Sequence, residues 1–208
     1  MRQLSRWSMA VAAMALAACS SKDKGMTDST STTTASTTTT AMDSTRRDST
    51  NMAAAGGTMS DANIMAKEIT ADSAEVAIAS YVRSHASDAG VKSYAALLVS
   101  DHGKGQKEAK ALASKLSITP QPAANDTTTQ ETEHVMSRFQ SLKGHDLDTA
   151  FVAHEIQDHK TDIDDAHKAA DAAQNADVKS FVQKTIPELQ KHLDRAQALD
   201  KKFSGAKS

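Results

Sequence analysis

From Asp61 onward, apolar residues recur at intervals of three and four along four long segments, the spacing of amphipathic helices with one buried face. The first, over 61–85, aligns Ile64, Glu68, Ala71, Glu75, Ile78 and Val82. The second, over 89–116, aligns Val91, Tyr94, Leu98, His102, Gly105, Ala109, Leu112 and Leu116. A third, over 146–173, carries Val152, Ile156, His159, Ile163, Ala166 and Ala170, and a fourth, over 176–203, carries Val178, Val182, Thr185, Leu189, His192, Ala196, Leu199 and Phe203. Each stripe is interrupted near its middle by an ionisable side chain: Glu75, His102, His159 or His192. Aromatic residues make up only 3% of the chain, so close packing must come from small residues, alanine above all. That balance suits packed helices rather than a sandwich or barrel, and the expected fold is all-α.

The third segment contains FVAHEIQDHKTDIDDAH, which looks like a metalloprotease helix and is not one. Two zinc-binding histidines on one helix must be four residues apart to share a face. His154 and His159 are five apart, roughly 140° around the axis, too divergent for one ion. Glu155 and His159 do share a face. The remaining acids, Asp158, Asp162, Asp164 and Asp165, read most simply as a solvated surface, with a cation-binding or partner-docking patch as the alternative, and His85, His134, His145, His154 and His167 read as surface or loop residues.

The amino-terminal residues, MRQLSRWSMAVAAMALAACSS, place Arg2 and Arg6 before an apolar run from Met9 to Ala18, the pattern of an export signal over 1–18. The run is shorter than the ~20 residues a membrane span needs. It ends in Leu16-Ala17-Ala18-Cys19, which resembles the lipobox of bacterial lipoproteins, and Cys19 is the chain's single cysteine. The expectation is a protein lipidated at Cys19 and held to the membrane by that anchor. Ser20 in place of an aspartate favours the outer membrane, facing the periplasm.

Residues 19–60 are then a Ser/Thr-rich tether with too few large apolar side chains to offset the entropy of ordering them. Its mean span is roughly 35 Å by random-coil scaling. Without Arg2 and Arg6, 22 basic side chains face 26 acidic ones, a formal charge of −4 that argues against nucleic-acid binding. The sequence leaves the identity of any protein partner open.

The folded part is expected over 61–204. SDAGVKSY at 87–94 echoes QNADVKSF at 174–181, each at a helix junction, which suggests two related helical hairpins. Between them, 117–145 holds Pro120, Pro122 and a short helix expected over 131–142. A connection this long can run the length of a bundle, the single crossover of ferritin-like topology. Pro187 falls inside the last helix and predicts a kink just before His192, or a second helical segment starting there.

Four pieces, Glu75 in ADSAEVAIA, the Ser100-Asp101-His102 that follows VKSYAALLV, DTAFVAHEIQDH and TIPELQKHLDRAQAL, carry a resemblance over about residues 60–203. They resemble the ferritin-like domain-of-unknown-function family of bacterial envelope proteins, often labelled predicted outer-membrane proteins. The resemblance implies a four-helix bundle with Glu75, His102, His159 and His192 as recurrent polar positions, and an association with envelope maintenance or stress tolerance.

A ferritin di-iron centre needs Glu-x-x-His twice, but Val99 and Leu189 stand three residues before His102 and His192. Ferroxidase chemistry is therefore disfavoured. Glu75, His102, His159 and His192 instead form a candidate set for zinc, copper or iron, with Asp101, Glu155 and Glu188 as groups that could orient the imidazoles. The competing readings are buried polar groups that satisfy one another, a metal-dependent redox enzyme or metal sensor on the same residues, and a purely structural or interaction module. An enzymatic role is the less favoured.

Overall fold

The computed structural model describes residues 59–205, which form five α-helices and, among the described residues, no strand. They are α1 (Asp61–His85), α2 (Ala89–Lys115), α3 (Thr128–Ser141), α4 (Gly144–Ala172) and α5 (Ala176–Gly205). The four long helices match the apolar stripes to within two residues at each end. The short helix starts three residues earlier than expected, and α5 runs unbroken through Pro187, so no second segment begins there. Pro187 is exposed, and its ring faces away from the core.

Local side chains set the boundaries. Ser60 and Asn63 form a reciprocal box at the start of α1: Asn63 N donates to Ser60 Oγ at 3.2 Å, and Ser60 N donates to Asn63 Oδ1 at 3.3 Å. Asp88 Oδ1 accepts from Gly90 N and Val91 N at the start of α2. Asn175 Oδ1 accepts from Asp177 N and Val178 N at the start of α5. At the end of α2, Ser117 takes a left-handed conformation (φ 54°), Ile118 N donates to Ala113 O and Ser117 N donates to Ser114 O, a Schellman turn.

Residues 86–88 join α1 to α2 and residues 173–175 join α4 to α5, giving two tight helical hairpins. The hairpins meet through α1 against α4 and α2 against α5, while α3 packs on α1 and α4. Two apolar cores result. One gathers Val82, Tyr94, Leu98, Leu147, Phe151 and Phe203, and the other Ile64, Met65, Ala109, Ala166, Val178 and Val182. Between them lies a polar layer with Glu75, His102, Glu155, His159 and His192, all buried. Burying ionisable groups at mid-height costs stability unless partners meet them, so their geometry is the informative part of the molecule.

Candidate metal centre

Three of the four residues singled out by the stripes converge. One ring nitrogen each of His102, His159 and His192 lies within 4.8 Å of the other two. His159 is fully enclosed, His192 is 3% exposed and His102 is 7% exposed.

Each ring has an oxygen acceptor behind it. His102 Nδ1 is 2.8 Å from Asp72 Oδ1, and His192 Nε2 is 3.1 Å from Asp101 Oδ2. His159 Nδ1 is 3.1 Å from the Glu155 carbonyl oxygen and 3.4 Å from Glu155 Oε2. An imidazole nitrogen facing an acceptor carries its proton, so these oxygens assign the tautomers. The opposite nitrogens are His102 Nε2, His159 Nε2 and His192 Nδ1, and all three are left with lone pairs. His102 Nε2 is buried with no hydrogen-bond partner, and His159 Nε2 faces His192 Nδ1 at 3.3 Å.

Two neutral lone pairs at that distance repel one another unless a cation lies between them. Zinc–nitrogen bonds of 2.0–2.1 Å at a tetrahedral angle separate the nitrogens by about 3.3–3.4 Å. Burial, reinforced by the two neighbouring rings, pushes the His159 pKa down to about 3, and burial likewise lowers that of His192. Both rings are therefore neutral at physiological pH, the form that binds a metal.

Glu75 does not join the imidazoles as the fourth ligand. It forms a separate group with His154 and Asp158, in which one donor atom from each lies within 4.8 Å of the others. Glu75 was expected in one set with the three histidines; its oxygen groups instead with His154 and Asp158, although Glu75 lines the same cavity as His102 and His192. The cause is rotational: α4 presents two i,i+4 pairs on adjacent faces, Glu155 with His159 toward α2 and α5, and His154 with Asp158 toward α1. His154 is correspondingly no surface residue. It is half-buried, and its ring packs edge-on against Phe139 of α3 at 5.7 Å.

Of the expected orienting groups, Asp101 and Glu155 hold imidazoles, whereas Glu188 is exposed and makes no hydrogen bond to His192. Asp72 was missed. Its signal was its spacing, four after Glu68 and three before Glu75 on the same face of α1.

The family model for a domain of unknown function, DUF4142, matches residues 46–199. The chain belongs to this family. Comparison with curated proteins and with solved structures returned no match. In this DUF4142 domain a cavity of about 70 Å³ reaches the centre, lined by Asp72, Glu75, Asp101, His102, Gly105 and His192 among others. A wider groove of about 820 Å³, bounded by α1, α4, α3 and the segment before α3, reaches Glu75, His154 and Asp158 from another side.

Around Glu75 the carboxyls crowd. Burial first, then the neighbouring Glu155, Asp158 and Asp162, raises the Glu75 pKa well above the carboxylate range. Burial with Asp158 and Asp162 does the same to Glu155. Burial and Asp158 push Asp162 up to about 8.

The amino-terminal signal, Cys19 and the Ser/Thr-rich tether fall outside the described residues. Among the described residues, no helix is long and apolar enough to cross a membrane.

Proposed function

We propose that this chain is a lipid-anchored bacterial envelope protein whose helical domain binds a transition ion, zinc or copper foremost, on His102, His159 and His192. One observation carries the metal reading: three buried imidazoles turn lone pairs toward a common point while oxygen acceptors hold the protons on their far nitrogens. Three nitrogens suit zinc, copper, nickel or iron, and affinity order favours copper and zinc. An ion held by these imidazoles would lie beside the cavity lined by His102 and His192, from which water or a small anion could complete its coordination.

The fold we assign is the ferritin-like four-helix bundle formed by α1, α2, α4 and α5. Its support is the distribution of the two cores. Ile64 of α1 and Ala109 of α2 share one core, and Val82 and Val91 share the other. Leu147 at the start of α4 lies in the same core as Val91 at the start of α2. This shared core supports reading residues 116–143 as the crossover that returns the chain along the bundle. Cys19 in its lipobox-like setting supports the anchor and the outer membrane as its address, and a role in envelope maintenance or stress tolerance is part of the same proposal.

Metal analysis of the purified full chain tests the centre. The wild type should take up one zinc or copper per chain and melt at a higher temperature with the ion. His159→Ala and His192→Ala should lose both effects, and equal metal content in all three proteins would exclude the centre. Cys19→Ser should shift the protein from the membrane to the soluble fraction, and unchanged fractionation would exclude the anchor.

A further inference from the structure

The imidazole centre leaves a second set of buried donors unexplained. Glu75 is 4% exposed, and its Oε2 has no hydrogen-bond partner. His154 Nε2 is likewise buried without one, and these two residues close on Asp158 with donor atoms within 4.8 Å of one another. Glu155, wholly buried, lacks a partner at both carboxylate oxygens beyond the 3.4 Å approach of His159 Nδ1.

Few native groups are buried in this way, and a partnerless carboxylate oxygen costs far more than a partnerless amide. Gathered in one place, these atoms are donors that a bound cation would satisfy. Among the described residues no lysine or arginine forms a salt bridge with Glu75, Glu155 or Asp158: the nearby Lys67 is engaged by Asp165, and Arg138 bears on His154.

We propose that Glu75, Asp158 and His154 form a second cation site, distinct from the imidazole centre and suited to a harder divalent ion of the manganese(II) or iron(II) type. Two carboxylates and one imidazole are the donors such ions take, and they discriminate against copper(I) and favour oxygen-rich coordination. Helix geometry supports the separation. His154 and Asp158 share one face of α4 and Glu155 and His159 the next, so a single two-turn segment serves both sites.

Glu155 links them, because its carboxyl faces Glu75 on one side and His159 Nδ1 on the other. The groove beneath α3 provides the route in, since it is lined by Glu75, His154 and Asp158 together with the loop residues before α3. This inference stands on different residues from the imidazole centre and does not require it.

Manganese(II) is the probe. Its six-line electron paramagnetic resonance signal in solution collapses on binding, and the full chain can be titrated with and without prior saturation by zinc. The wild type should bind one manganese ion per chain in both conditions. Glu75→Gln and Asp158→Asn should each weaken that binding at least about ten-fold while zinc uptake stays intact.

Glu75→Gln is isosteric and keeps this buried position neutral, as burial already holds Glu75 in the metal-free fold, so helicity and melting temperature should be retained and lost binding cannot be ascribed to misfolding. His102→Ala should lose zinc and keep manganese, which separates the two centres. Manganese binding that is absent from the wild type, or equal in wild type, Glu75→Gln and Asp158→Asn, would overturn the second site and show that the carboxyls share protons instead. Loss of zinc binding alone would leave this proposal standing and remove the imidazole one.

Discussion

At Gly105 a methyl group would sit 2.8 Å from Asp72 Oδ2, and the same carboxylate holds His102 through Oδ1. The glycine of α2 makes room for the acid of α1 that orients the His102 imidazole, so Gly105→Ala should push Asp72 off His102. Helix propensity alone would reward the change by about 1 kcal/mol. The expected signature is thus a protein of unchanged or higher melting temperature with zinc affinity reduced about 10-fold to 100-fold. Calorimetric titration reads it, and undiminished affinity would mean Asp72 does not orient His102. Ser117 presents the opposite opportunity. It occupies the left-handed position of the Schellman turn after α2 with its side chain exposed, and Ser117→Gly should raise unfolding stability by about 0.5–1 kcal/mol in denaturant titrations.

Among the elements, the two hairpins grip each other reciprocally. Asp61 at the start of α1 accepts from Gln174 N and Asn175 N at 2.9 and 3.0 Å, in the loop of the second hairpin. Asp148 near the start of α4 accepts from Ser87 N and Asp88 N at 2.9 and 2.8 Å, in the loop of the first. Each residue lies 87 positions from its counterpart: 61 and 148, 87 and 174. The same offset relates Glu68 to Glu155 and Glu75 to Asp162, so part of the polar layer repeats with the hairpin. The echo of SDAGVKSY in QNADVKSF was legible because loop-and-cap residues act locally. The clamps were not, because they depend on the partner hairpin. Asp148 is 2% exposed, and losing two charge-assisted bonds there should cost about 2–4 kcal/mol in Asp148→Ala. Asp61→Ala, at a half-buried site, should cost less, and a reversed order in chemical denaturation would count against this reading.

For the whole molecule, what the sequence could reveal follows from what helical periodicity measures. A 3.6-residue period reports the face a helix turns toward its bundle, and it found His102, His159 and His192 because those rings point into the shared axis. It could not find His154 and Asp158, which look solvent-facing on α4 alone. They are enclosed because α3 returns over that face and lays Phe139 against His154. The resulting acidic interior makes stability depend on pH in a definite direction. Burial and Asp72 push Glu68 up to about 7, and burial and Asp158 push Asp162 up to about 8, with Glu68, Asp165 and Lys67 also facing it. A carboxyl whose folded pKa is raised favours the fold below its unfolded pKa of about 4, and that advantage is lost as pH rises toward the folded value. The buried histidines act oppositely. His159, lowered to about 3, disfavours the fold only as pH drops below its unfolded value of about 6.5. From pH 6.5 to 8 the carboxyl effect therefore outweighs the remainder of the histidine effect, and the metal-free protein in chelator should lose about 1–2 kcal/mol, seen as a falling melting temperature. A divalent ion among these carboxylates favours their charged forms, so saturating manganese should flatten or reverse the slope. A melting temperature that climbs from pH 6.5 to 8 without metal would mean the acids of the polar layer are charged and satisfied in the folded state, and the case for a cation beside Glu75 would lose its electrostatic basis.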